Sequence, residues 1–105
     1  MEKIITRIWQ GKVRKEDAEV YKKYVEETGL KNYRETEGNI SAKILLRFED
    51  KVCHILTVTE WTSYESIKKF AGEDFEKARY YPEDEKYLLE FEELVTHFDT
   101  YIYEN

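Results

Sequence analysis

The sequence is poor in the residues that build special scaffolds. It has one cysteine, one proline, four glycines and two histidines in 105 residues. A lone Cys53 excludes an internal disulfide and a cysteine-built zinc site. No HxxxH, HxxE or Cys/His pair offers metal-ligand spacing, so no metal is expected. Glycine-rich phosphate loops and dinucleotide fingerprints are missing, and no cofactor is expected either. No apolar run approaches the roughly 20 residues a membrane helix needs, and the first residues, MEKIITRIWQ, lack the apolar stretch of a signal peptide. Acidic residues outnumber basic ones, 23 to 17, for a formal net charge of −6, and no basic cluster occurs. Nucleic acid is therefore a poor partner. The expectation is one cytoplasmic globular domain over 1–105, in contact with neither membrane nor nucleic acid.

What is abundant is aromatic surface: nine Tyr, five Phe and two Trp. That load argues against disorder and exceeds what a chain of this size easily hides.

The periodicity gives the order of elements. Residues Ile4 to Gly11 alternate with period two, as a strand does. From Lys15 the apolar residues Ala18, Tyr21, Val25 and Thr28 recur at three and four, the spacing of an amphipathic helix, and Gly29 is its expected stop. Ile40, Ala42, Ile44, Leu46 and Phe48 mark a second strand. Glu49-Asp50-Lys51 is short enough for a hairpin, and the β-branched run Val52 to Trp61 returns. Thr62 or Ser63 caps a helix carrying Ile67, Phe70 and Ala71. The segment 73–92 reads as two short helical pieces broken at Tyr81-Pro82. Leu94 to Tyr103 is a final strand. The order β-α-β-β-α-β predicts an α+β fold of the ferredoxin-like type, a four-stranded antiparallel sheet with helices on one face.

The other face then needs a cover. With Ile4 and Ile8 toward the helices, it collects Arg7, Trp9, Arg47, His97, Tyr101 and Tyr103. Such a Tyr, Trp and Arg enrichment marks an interface or a pocket, and a homodimer with two sheets packed face to face is expected.

The sequence resembles the dimeric α/β-barrel proteins of the antibiotic-biosynthesis-monooxygenase type. The resemblance rests on Arg7-Ile8-Trp9-Gln10-Gly11, Glu37-Gly38-Asn39, Leu45-Leu46-Arg47, the junction Thr59 to Ile67, Phe70 to Asp74, Ala78 to Asp84 and Val95-Thr96-His97-Phe98. It implies a dimeric α/β barrel. It further implies a cofactor-independent monooxygenase acting on an aromatic or quinol-like molecule, or a non-catalytic binding or stress-related barrel with the same pocket. The haem-degrading branch uses an Asn, a Trp and a His. Trp61 matches the Trp, but Thr6 or Arg7 and Arg79 or Tyr80 stand at the other two places, so haem degradation is not implied.

Six residues are candidates for the site. His97, Arg47 and Arg7 are the catalytic candidates. A neutral His97 can take a proton from a phenol, or it is a buried histidine with a protein partner. Arg7 and Arg47 hold an oxyanion or pair across the dimer interface. Trp61, Trp9 and Tyr81 are the candidates for binding an aromatic ligand. Trp61 is equally a core residue at the strand-helix junction, and Tyr81, with Tyr80, either rims a pocket or packs over the sheet edge. His54 reads as surface, and the acidic runs, including Glu83-Asp84-Glu85, as solvated faces.

Overall fold

The structure, a computed structural model, describes residues 2–90 and 92–104. Its strands are β1 (Glu2–Arg14), β2 (Asn39–Glu49), β3 (Val52–Trp61), β4 (Leu88–Glu90) and β5 (Thr96–Ile102). The helices are α1 (Ala18–Val25), α2 (Lys31–Glu35), α3 (Tyr64–Ala71) and α4 (Asp84–Tyr87). The sheet is antiparallel throughout, in the order β2-β3-β1, and the far edge of β1 is shared by β5 along its first half and by β4 along its second. This is the ferredoxin-like α+β arrangement with helices on one face. The short strand β4 is an addition to the four that the sequence predicts.

The first helix does not stop at Gly29. A π-helical turn, Glu26–Leu30, carries it on into α2. Its buried positions are Tyr21, Val25, Gly29 and Tyr33, each four apart. In an α-helix of 3.6 residues per turn a spacing of four drifts by about 40° at each step. The wider π turn absorbs that drift and keeps Tyr33 over the sheet. Thr28, expected on the stripe, is half-buried beside it.

The β2–β3 hairpin turns on Asp50 and Lys51. Asp50 has φ 56°, the left-handed region that a short polar side chain tolerates. At the end of β3, Ser63 caps α3, accepting from the Ser66 amide at 3.2 Å while Ser66 Oγ accepts from the Ser63 amide at 3.3 Å. Ser66 thus does the work of the glutamate in a capping box. Gly38, at φ 94°, lies so close that an added Cβ would meet Ser66 Cβ at 2.3 Å, which ties the entry of β2 to this cap.

Two expectations change. Among its described residues the segment 73–92 holds one helix, α4; residues 72–83 have no helix, and 76–78 pair instead with the stretch 93–95 that leads into β5. Ala78 N donates to Glu93 O at 2.9 Å, Val95 N to Glu76 O at 2.8 Å, and Lys77 bridges to Leu94. The phase of β1 is also the reverse of the expected one. Ile5, Arg7, Trp9, Gly11 and Val13 face the helices, and β3 buries Cys53, Ile55, Thr57, Thr59 and Trp61 on the same side. The open face holds Ile8, Val58, Leu56, Leu45 and Phe98, which cross-strand pairing places side by side. Phe48 and Phe98 are exposed rather than core residues.

The helix-side core falls into two clusters. One gathers Trp9, Val13, Tyr21, Val25, Ile55 and Leu88; the other gathers Ile5, Tyr33, Trp61, Ile67 and Phe70. Between them on the sheet run Arg7, Thr57 and Thr59, all buried.

Candidate functional site

Above that polar band lies a cavity. Its walls come from β1 (Arg7, Trp9), β3 (Thr57), the long helix (Tyr21, Val25, Thr28, Gly29, Tyr33) and the segment Arg79, Tyr80, Tyr81 and Asp84. Its empty space is about 380 Å³ when the open solvent at its mouth is included, and the centre of a water-sized sphere explores only about 30 Å³. The site therefore holds water-sized species as it stands, and an aromatic ring enters only if a lining residue shifts.

Arg7 is only 2% exposed. Its Nη1 donates to Tyr33 Oη and its Nη2 to the Lys77 carbonyl, both at 3.4 Å, while Nε has no partner. Both contacts are long for N–H···O bonds. No carboxylate among the described residues lies within ion-pair distance. Loss of hydration holds its pKa below the ordinary arginine value. A buried cation so thinly satisfied is costly, and it faces the cavity.

The other walls are tied to one another by hydrogen bonds. Gly11 lets the Trp9 ring lie flat along β1, since a Cβ there would meet Trp9 Cη2 at 2.5 Å and Leu88 Cδ2 at 2.9 Å. Trp9 Nε1 donates to Tyr80 Oη at 3.2 Å. Tyr81 receives a bond from Asn32 Nδ2 at 2.7 Å on its hydroxyl. Its amide donates to Asp84 Oδ2, and Asp84 Oδ1 accepts from Tyr21 Oη at 2.9 Å. Burial pushes the Asp84 carboxyl up, against those two hydrogen bonds, and pushes Tyr80 and Tyr81 up as well.

Of the residues singled out in the sequence, Arg7, Trp9 and Tyr81 line this one cavity. Trp61 does not: it is fully buried, donates Nε1 to Thr59 Oγ1 at 2.8 Å, and packs edge-on against Tyr33 with ring centroids 6.2 Å apart. His97 pairs with Arg7 across the β1–β5 ladder but lies outside the cavity, against Tyr64 and Phe75. Its Nε2 is buried without a partner, and desolvation, aided by the Arg7 charge, lowers its pKa to about 4. Arg47 lies on the opposite face of the sheet, exposed, donating to Glu49 at 3.0 Å. His54 is half-buried beside the same Glu49, at 3.0 Å.

Tyr21, Tyr33, Asp84 and Arg79 join the site without having been singled out. Asp84 sits in an acidic run that reads as solvent-facing, yet it is 4% exposed. The one sequence signal for it was the neighbouring Tyr81-Pro82 break, which turns the chain back toward the helix. No group of three or more His, Cys, Asp or Glu side chains that could hold a metal ion occurs among the described residues. None of the helices among the described residues is long and apolar enough to cross a membrane.

No family model matches the chain, and no curated protein matches it. Solved structures do. One, titled "Putative antibiotic biosynthesis monooxygenase" from Nitrosomonas europaea, is 12% identical, with a TM-score of 0.63 over 94% of this chain and 90% of the other. Another, with the same description, from Bacillus cereus, is 14% identical, with a TM-score of 0.57 over 100% of this chain and 97% of the other. The chain thus has the fold of the antibiotic-biosynthesis-monooxygenase type.

Proposed function

We propose that the protein is a small monooxygenase that recruits no cofactor, acts on a phenol- or hydroquinone-type ring, and works as a homodimer. The observation that carries this reading is Arg7, a buried guanidinium without a counter-ion, aimed at a cavity walled by Trp9, Tyr33, Tyr80 and Tyr81. A ring hydroxyl beside it is stabilised as its anion. Such an anion is electron-rich enough to reduce O2 without a metal or flavin. Where the activated ring bears a CH2 group, O2 adds to that carbon as a hydroperoxide, which then loses water. One oxygen atom stays as a ketone, the other leaves as water, and the substrate supplies every electron. The names of the structural neighbours support the reaction class.

Arg7 carries most of the work in this reading. With a pKa of about 4, His97 is a weak base against a phenol near 10. Lying outside the cavity, beside Arg7 on the β1–β5 ladder, it acts on the ring only through Arg7. Arg47 belongs to the dimer face. That face is the open side of the sheet, where Leu45 is 47% and Phe98 48% exposed among half-buried Ile8, Leu56 and Val58. A second copy covers it.

The test is oxygen uptake, with the oxygenated product identified by mass, on a panel of hydroquinones and of hydroxylated rings that bear a ring CH2 group, repeated with Arg7→Gln and His97→Ala. Uptake that Arg7→Gln abolishes is expected. No uptake with any member, or uptake indifferent to both substitutions, overturns the enzyme reading. One observation favours the second reading, a barrel that binds a ring without turning it over: His97, the candidate for proton transfer, does not line the cavity. Saturable ring binding with no oxygen consumption is its signature.

A further inference from the structure

The charges around the cavity do not balance. Arg7 stands at the inner wall and Arg79 at the exposed rim. Both guanidiniums lie against one ring, their carbons 5.4 and 5.1 Å from the centroid of Phe70. Arg79 is held there, with Nη1 donating to the Phe70 carbonyl at 2.9 Å and its guanidinium carbon 5.4 Å from the centre of Tyr81. Neither arginine is within ion-pair distance of a carboxylate among the described residues, in a chain with 23 acidic residues. The ion pairs that do form engage exposed lysines and arginines elsewhere, such as Lys69 with Glu37 and Lys22 with Glu26. The one carboxylate of the lining, Asp84, has both oxygens committed, to Tyr21 and to the Tyr81 amide.

Two like charges fixed against one benzene ring, without a counter-ion, repel each other. Their natural complement is a ligand that is negative at both ends and flat between them. A planar carboxylate matches the guanidinium fork, and the aromatic walls match a ring.

We propose that the cavity, opened by a shift of a lining residue, takes an aromatic acid of the hydroxybenzoate class, its ring oxygen on Arg7 and its carboxylate on Arg79. This rests on the reading that the cavity is the ligand site, and it assigns Arg79 as the residue that selects carboxylated rings. The test is calorimetric titration of the full chain with 4-hydroxybenzoate, phenol, benzoate and inorganic phosphate. 4-Hydroxybenzoate is expected to bind at least tenfold more tightly than phenol or benzoate. Arg79→Gln should bring 4-hydroxybenzoate down to the affinity of phenol, weakening the acid about tenfold more than phenol itself, and Arg7→Gln should weaken both. Arg79→Lys, which keeps the charge and loses the planar fork, should retain part of the preference, and melting curves establish that each variant is folded. Equal affinity for phenol and 4-hydroxybenzoate, or a preference that survives Arg79→Gln, overturns the proposal while leaving the cavity as a ring site. Phosphate binding as tightly as 4-hydroxybenzoate also overturns it and leaves a simple anion site. If no ring compound binds, the cavity reading falls with it.

Discussion

The two faces of the sheet divide the aromatic surplus of this chain unequally. The helix-covered face holds both tryptophans, Tyr21, Tyr33 and an arginine with no counter-ion. The open face is mostly aliphatic, with Ile8, Val58, Leu56 and Leu45 side by side and Phe98 the one large ring among them. The contrast separates two jobs that composition alone runs together. Flat rings with a polar handle are concentrated where a cavity has to be shaped. Branched aliphatic side chains lie where a broad flat surface has to be covered. The excess of aromatics therefore belongs to the helix-covered face, and the aliphatic face is the surface on which the proposed second copy would sit.

The largest break in this comparison comes from the covered face. Trp61→Ala is expected to cost about 3–5 kcal/mol, as large-to-small changes in packed cores do; urea unfolding measures it. A cost below about 1 kcal/mol would mean that Trp61 is not the keystone of its cluster. On the open face, Val58→Asp should leave the fold intact and convert a dimer to a monomer in sedimentation at micromolar concentration. A wild-type chain that already sediments as a monomer removes the dimer altogether. Arg7→Met separates function from stability. Replacing a buried charge by an apolar chain of similar length removes its desolvation cost, so the variant should melt no lower than the wild type while losing ring binding. A loss of stability instead would make Arg7 a structural residue.

A smaller effect concerns acid. The folded-state pKa of His97, about 4, lies below its ordinary 6.5. The folded protein thus binds fewer protons than the unfolded one between those values. The stability present above pH 6.5 is lost as pH falls toward 4, and the curve should flatten below that. Arg7, Tyr64 and Phe75 surround the ring, and no carboxylate there forms an ion pair with it among the described residues. In His97→Gln the acid limb between pH 6.5 and 4 should be shallower; an unchanged limb would place His97 in water. The smallest change is Ser63→Ala, expected to cost about 1 kcal/mol through loss of the helix cap and to touch neither face.

The order of elements was legible because the chain changes period cleanly, from two in β2 to three and four in α1. The side on which each residue falls was not legible in β1. Ile4, Ile5, Ile8 and Trp9 put large apolar groups on both faces, so the alternation that fixes phase cancels. Arg7 and Trp9 consequently change sides together. The same cancellation hid the course of the first helix, because Gly29 looks like a stop and becomes an interior residue only in a π turn. Arg7, Trp9 and Tyr81 could be singled out by residue type. Asp84 and Tyr33 could not, since one sits in a run of acids and the other beyond the glycine. Their roles depend on contacts with residues 26 to 63 positions away.

The π turn has a consequence for how this cavity can change. A helix that carries one residue too many for a regular α-helix has its register set by that extra residue. Removing one residue from Glu26–Leu30 would close the helix into regular winding with Val25 and Tyr33 seven apart, about 20° from alignment, so Tyr33 would stay over Arg7. Straightening the turn without removing a residue would instead leave the two eight apart, about 80° out of line, and would carry Tyr33 off Arg7 and Asn32 off the Tyr81 hydroxyl. The helix-side wall of the cavity is thus held in place by the winding of a single turn, with the strands beneath it untouched.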